Sequence, residues 1–136
     1  MTNTLAEKYI ALWNEPEGDR RRRTIAELWT EDGTHILQPP EEIRAIAAQP
    51  GIAMTATLEA RGHEEIEARA TSAYEQWVGS EGLSFRGRGD AERLGDVVKL
   101  HWEAIAKDDT VFAVGLSFLV LAADGRIERD YTFIVG

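Results

Sequence analysis

The sequence predicts an α+β domain in which a curved antiparallel sheet wraps around N-terminal helices. Three observations carry this. Apolar residues at helical spacing fall in the first eighty positions, whereas the last fifty-odd alternate as strands broken by short polar turns. The dipeptide Asp124-Gly125 marks a tight hairpin between two long strands. The first of these, Val111 to Ala122, is apolar on both alternating faces, as expected of a strand covered on both sides.

The elements follow in order. Thr4 or Asn3 caps a first helix with Leu5, Tyr9, Leu12 and Trp13 at helical spacing, and Asn14-Glu15-Pro16 ends it. Asp19 caps a second helix with Ile25, Leu28 and Trp29 on its buried stripe, closed by Asp32-Gly33. Thr34 to Gln38 reads as a short strand stopped by Pro39-Pro40. Glu41 to Ala48 reads as a short helix, and Ile52 to Ala60 as a strand or an irregular crossing. After Gly62, acids at Glu64 and Glu65 open a third main helix whose stripe is Ile66, Ala70, Ala73, Tyr74, Trp77 and Val78. Strands then occupy Leu83–Leu94, Val97–Ile105, Val111–Ala122 and Arg126–Val135. A long curved sheet on a helix pair leaves a cone-shaped interior suited to a small ligand.

Bulk composition narrows the function. The 136 residues form one domain, 1–136, large enough for a core without disulfides or metal. A net charge of −9 opposes capture by nucleic acid or anionic lipid, so neither nucleic acid nor membrane is expected as a partner. The N-terminus has no signal-peptide pattern, which makes the cytoplasm the default location. With no cysteine and three scattered histidines, no metal and no cofactor is expected. His63-Glu-Glu-Ile-Glu67 lacks the second histidine four residues on that a helical zinc site needs. Arg20-Arg-Arg-Arg23 reads as a solvated run pairing with Glu15, Glu17 or Glu27, and Gly87-Arg88-Gly89 as a bend in the sheet.

Tyr9-Ile-Ala-Leu-Trp13-Asn14, Ile25–Asp32 leading into Thr34–Pro39, Gly62–Ile66, Val97–Trp102, Gly115-Leu-Ser-Phe118 and Asp124–Ile127 with Tyr131-Thr-Phe133 resemble, in this order, the nuclear-transport-factor-2-like superfamily, particularly its SnoaL-like branch. The resemblance implies a cystatin-like cone with an internal pocket and dimerisation through the sheet. The fold hosts isomerases, dehydratases, epoxide hydrolases, cyclases and non-catalytic binders, so it leaves catalysis open. Tyr9 matches the first-helix tyrosine of ketosteroid isomerase that donates to the substrate oxyanion. The isomerase base falls on Leu37 or Gln38, and an acid common in the family falls on Ser117, so those acids are missing. Of the Asp-Arg-Asp relay of epoxide hydrolases only Asp130 with Arg129 or Arg126 can be placed, Asp130 and Arg129 on opposite strand faces.

Two functions compete: an acid/base enzyme acting on an apolar cyclic compound, and a non-catalytic ligand-binding or dimeric scaffold protein. For the first, His35, Tyr9 and Tyr131 are the expected catalytic residues, since histidine titrates near neutrality and tyrosine brings a polar tip on an apolar body. Trp13, Gln38, Trp102, Ser117 and Phe133 are the expected ligand contacts. His101 is expected on the outer face with Lys99 and Glu103. A homodimer built on that face is expected, with His101 or Glu103 at or near the contact.

Overall fold

The computed structural model describes residues 2–38 and 58–136. The expected helix at 41–48 and the first part of the expected crossing at 52–60 lie outside them. Helices α1 (Thr2–Asn14) and α2 (Gly18–Leu28) lead into strand β1 (Trp29–Leu37). Strand β2 (Leu58–Arg61), helix α3 (Gly62–Ala73) and a π-helical turn (Tyr74–Ser80) follow. The chain closes with β3 (Ser84–Gly87), β4 (Glu92–Leu94), β5 (Val97–Ile105), β6 (Val111–Leu121) and β7 (Ile127–Ile134).

The seven strands form one sheet in the order β2-β1-β7-β6-β5-β3, with β4 also pairing β5. Every pairing is antiparallel except one: β1 runs parallel to β7, with His35 opposite Asp130. The expected antiparallel sheet is thus present with one parallel pairing added at β1. Hairpin turns join β5 to β6 and β6 to β7, but β1 reaches β7 only through the rest of the chain, so nothing forces the antiparallel sense there.

Several boundaries also differ from expectation: α1 already includes Asn3 and Thr4, and α2 begins at Gly18 after Glu17, ahead of the expected Asp19 cap. The second helix ends at Leu28, and Trp29 to Gly33 already belong to β1. A register shift between Trp29 and Thr34 accommodates these residues. The third helix continues past Ala73 as a π-helical turn, which moves Trp77 off a regular stripe. The expected strand over Leu83–Leu94 is two strands, because Arg88 to Ala91 leave the sheet, as the bend at Gly87-Arg88-Gly89 foreshadows.

The core lies between the helices and the concave face of the sheet. Tyr9 and Leu12 of α1, Ile25 and Leu28 of α2, and Ile66 and Ala70 of α3 meet Val98, Leu100, Leu119, Leu121 and Ile127 of the sheet. Each fully buried large apolar side chain contributes about 1.5–3 kcal/mol relative to exposure. The arginine run divides. Arg20 and Arg22 pair on the surface with Glu17, Asp19 and Glu67, whereas Arg21 is buried. Its guanidinium bonds the carbonyls of Glu15 and Pro16 and the Thr71 hydroxyl, tying the α1–α2 junction to α3.

Two bulges decide which side chains face the core. In β6, Ile105 pairs with Val111 and Ala104 with Ala113, leaving Phe112 as an extra residue. In β7, Leu121 pairs with Ile127 but Val120 with Arg129, leaving Glu128 extra. An extra residue reverses the alternation beyond it. Ile127 is therefore buried, and so are Asp130 and Thr132, while Phe133 is exposed on the other face.

Candidate functional site

The site is a polar knot at one end of an apolar cavity. The apolar spacing of α1 turns Tyr9 onto the sheet, where it is 1% exposed. Its hydroxyl lies 2.5 Å from Asp130 Oδ2 on β7, 3.2 Å from Ser117 Oγ on β6 and 3.4 Å from Thr132 Oγ1 on β7. Ser117 and Thr132 are cross-strand partners with their oxygens 2.8 Å apart, and Thr132 Oγ1 donates to Asp130 Oδ1 at 2.7 Å. Trp102 Nε1 donates to Ser117 Oγ at 3.1 Å. Gly115 makes the Trp102 pose possible: a Cβ there would stand 2.0 Å from the indole.

Donor chemistry fixes the direction of this network. The indole N–H can only donate, and an ionised carboxylate can only accept. Protons therefore run from Trp102 to Ser117, from Ser117 to Thr132 and from Thr132 to Asp130, while Tyr9 donates to Asp130 from the other side. Burial pushes the Asp130 carboxyl up to about 7, against the pull of its hydrogen bonds to Tyr9 and Thr132 and of the Arg69 charge. Burial, then the neighbouring Asp130 charge, holds the Tyr9 phenol well above its ordinary value, so it stays a proton donor.

His35 stands beside this knot on β1, Nε2 3.6 Å from Asp130 Oδ2, with the Trp13 ring 5.1 Å from its own. Arg69 of α3 donates through Nη1 to His35 Nδ1 and to the His35 carbonyl, both at 3.0 Å, and to the Leu58 carbonyl at 3.2 Å. A guanidinium only donates, so Nδ1 accepts and the imidazole proton sits on Nε2, toward Asp130. Burial, and then the Arg69 charge, pulls His35 down to about 3. His35 is thus a neutral ring, and the group that titrates near neutrality is Asp130.

The cavity, about 550 Å³, opens between α1, the end of α3 and the sheet. Tyr9, Trp13, Leu37, Trp77, Phe85, Trp102 and Phe112 line it, with His35, Gln38, Arg69 and Thr132 as its polar wall. Trp77 and Phe112, rings 6.0 Å apart, flank one side, Phe112 being turned there by the β6 bulge. Among the expected site residues, Tyr9, His35, Trp13, Gln38 and Trp102 come together at this wall, and Ser117 sits just behind it. Gln38 is itself engaged: its Oε1 accepts the Ile134 N–H at 3.0 Å.

Tyr131 and Phe133 do not join them. The Glu128 bulge sends both to the outer face, where Phe133 packs edge-on against Phe118 at 6.0 Å and Tyr131 Oη accepts from Arg129 at 3.4 Å. Asp130, Thr132, Arg69 and Trp77 take their place; of these the sequence offered only Asp130, as part of the incomplete epoxide-hydrolase relay. His101 bonds Asp90 through Nδ1 at 2.6 Å, beside a second hollow of about 540 Å³ between α1 and residues 87–91. There Asp90 pairs with His101, and Arg88 pairs with Glu103. Among the described residues no cluster of three or more metal-ligating side chains occurs.

No protein-family model matches the chain, and no curated protein matches it in sequence. Solved structures do match. A SnoaL-like family protein from Agrobacterium tumefaciens superposes with a TM-score of 0.77 at 24% identity, over 99% of this chain and 97% of that one. A SnoaL-like protein of unknown function from Burkholderia thailandensis gives 0.66 at 16% identity, over 99% and 95%. A nuclear-transport-factor-2-like protein of unknown function from an Exiguobacterium gives 0.60 at 14% identity, over 96% and 98%. The chain has the SnoaL-like, nuclear-transport-factor-2-like fold. In this chain the position matched to the isomerase base is Leu37 or Gln38, both on the cavity wall. The buried carboxyl group nearest the cavity comes instead from β7, as Asp130.

Proposed function

We propose that this SnoaL-like protein binds an apolar, aromatic-sized small molecule in the cavity between α1, α3 and the sheet, and exchanges a proton with it through Tyr9 and Asp130. The observation that carries the reading is the Tyr9–Asp130 contact: a phenol lining the cavity is backed by a carboxyl group poised near neutrality. With Asp130 ionised, the Tyr9 proton is held by the carboxylate. With Asp130 protonated, the carboxyl O–H donates to the Tyr9 oxygen, and the phenol proton is free to meet a carbonyl or enolate oxygen of the ligand. Trp13, Trp77 and Trp102 supply flat faces for the ligand's rings.

The test is a titration of tryptophan fluorescence with neutral aromatic ketones and with hydrocarbons of matching shape. The ketones should bind more tightly than the hydrocarbons, and Tyr9→Phe should remove that difference. Equal affinity in the unmodified protein would overturn the polar role of Tyr9. Absence of any saturable quenching would overturn ligand binding altogether.

One observation favours the non-catalytic alternative. Asp130 is fully buried behind Tyr9 and Thr132, so it reaches a ligand only through another side chain. Under that reading ketone binding persists while no proton of the ligand exchanges with deuterium from solvent. The outer face, with Val114, Leu116, Phe118 and Val120 half-buried and Phe133 exposed, supports a homodimer through the sheet. Among the described residues no helix is long and apolar enough to cross a membrane.

A further inference from the structure

We propose that the ligand of this cavity carries a carboxylate, and that Arg69 receives it on the Nε–Nη2 edge of its guanidinium. This rests on the reading of the cavity as a ligand site and specifies the chemical class of the ligand.

Three features lead here. Arg69 is the one cation among the described residues that line the cavity. Its Nη1 is committed to His35 Nδ1, the His35 carbonyl and the Leu58 carbonyl, which fixes the plane and reach of the group. Nε and Nη2 make no hydrogen bond to a described residue, and Trp29 Nε1 alone is a fully buried side-chain nitrogen or oxygen without a partner among them. Arg69 lines the cavity with that edge unengaged among the described residues. Two parallel N–H groups on one edge match the two oxygens of a carboxylate.

The surroundings favour one negative charge over two. Asp130 and Glu65 both act on Arg69 electrostatically, so its charge is already partly offset. Among the described residues no second cation lines the cavity to receive a dianionic phosphate. The remaining wall is indole, phenyl and aliphatic, so the rest of the ligand is an aromatic or alicyclic body. The structure thus assigns the cavity to a small aryl or alicyclic monocarboxylate, with its charged end at Arg69 and its rings against Trp13 and Trp102.

The experiment compares 2-naphthoate with 2-naphthamide, which share a shape and differ in charge, by calorimetric titration. The carboxylate is expected to bind about tenfold more tightly or better, the scale of a charge-assisted hydrogen-bonded pair. Arg69→Met should abolish that preference while retaining amide binding, and Arg69→Lys should keep part of it. If both probes bind the unmodified protein equally, or Arg69→Met leaves the preference intact, the carboxylate assignment is overturned while ligand binding stands. If neither probe binds, both fall. Should Arg69→Met fail to fold, the naphthoate-to-naphthamide ratio in Arg69→Lys decides: an undiminished ratio overturns the assignment.

Discussion

Tyr9 and Asp130, 121 residues apart in sequence, hold their oxygens 2.5 Å from each other inside the protein. The two environments around this contact shift pKa values in opposite senses, Asp130 up to about 7 and His35 down to about 3.

The opposed shifts predict a specific pH dependence of stability. A carboxyl group whose folded value is raised binds more protons in the folded state, so its contribution is complete below about pH 4 and is lost as pH rises through 7. A histidine whose folded value is lowered binds more protons unfolded, so its contribution is lost as pH falls from about 6.5 through 3. Between about pH 4 and 6.5 the two slopes oppose each other and nearly cancel. Relative to the unmodified protein, Asp130→Asn should gain stability with rising pH across that window, and His35→Gln should lose it. The slope expected is about 1.4 kcal/mol per pH unit in each case. Urea melts at half-unit intervals would measure it, and parallel profiles for all three proteins would refute the assignment.

Gly115→Ala should damage the cavity specifically. Its Cβ would meet the Trp102 indole at 2.0 Å, so the ring must leave Gly115 and surrender its bond to Ser117. A loss of about 1–3 kcal/mol is expected, together with a changed tryptophan emission spectrum. Unchanged emission and stability would show that Trp102 does not rest there.

The Glu128 bulge can be tested by comparing substitution with deletion. Glu128→Ala alters an exposed side chain and should change stability by about 0.5 kcal/mol or less. Deleting Glu128 removes the extra residue and leaves Ile127 and Arg129 consecutive opposite Leu121 and Val120, so the ladder becomes regular and Asp130 and Thr132 keep their inward places. That protein should still fold and keep ligand binding. Loss of folding or of ligand binding on deletion would refute the assignment of Glu128 as the extra residue.

Assembly gives a fourth expectation. If the outer face joins two copies, Leu116→Lys should convert a dimeric mass to a monomeric one in sedimentation at micromolar concentration. A monomeric mass for the unmodified protein would remove the homodimer.

The fold was legible in the sequence because its helix stripes and the strand turns at Gly95-Asp96 and Asp124-Gly125 are local signals. The parallel β1–β7 pairing was not, since no local pattern states which distant strand lies beside which. The site was half legible. Tyr9, Trp13 and Trp102 follow from apolar spacing, but simple alternation from Ile127 carries Tyr131 and Phe133 inward, and one bulge reverses it. A usable signal did exist. Counting outward residue for residue from the Asp124-Gly125 turn sets Ser117 opposite Thr132, and cross-strand partners share a face. An inward Ser117 therefore requires an inward Thr132 and Asp130. Arg69 had no such signal, because its role depends on where α3 lies against β1.

The last strand of the sequence occupies an interior place in the sheet, with β1 and β2 on one side and β6, β5 and β3 on the other. The two groups of strands share no ladder except through β7, so neither half closes until residues 127–134 dock. On the ribosome the N-terminal helices must wait for the final strand before Tyr9 can find its partner. Pairings of such high contact order make folding slow, and they make it an all-or-none event in which sheet closure and completion of the polar knot coincide.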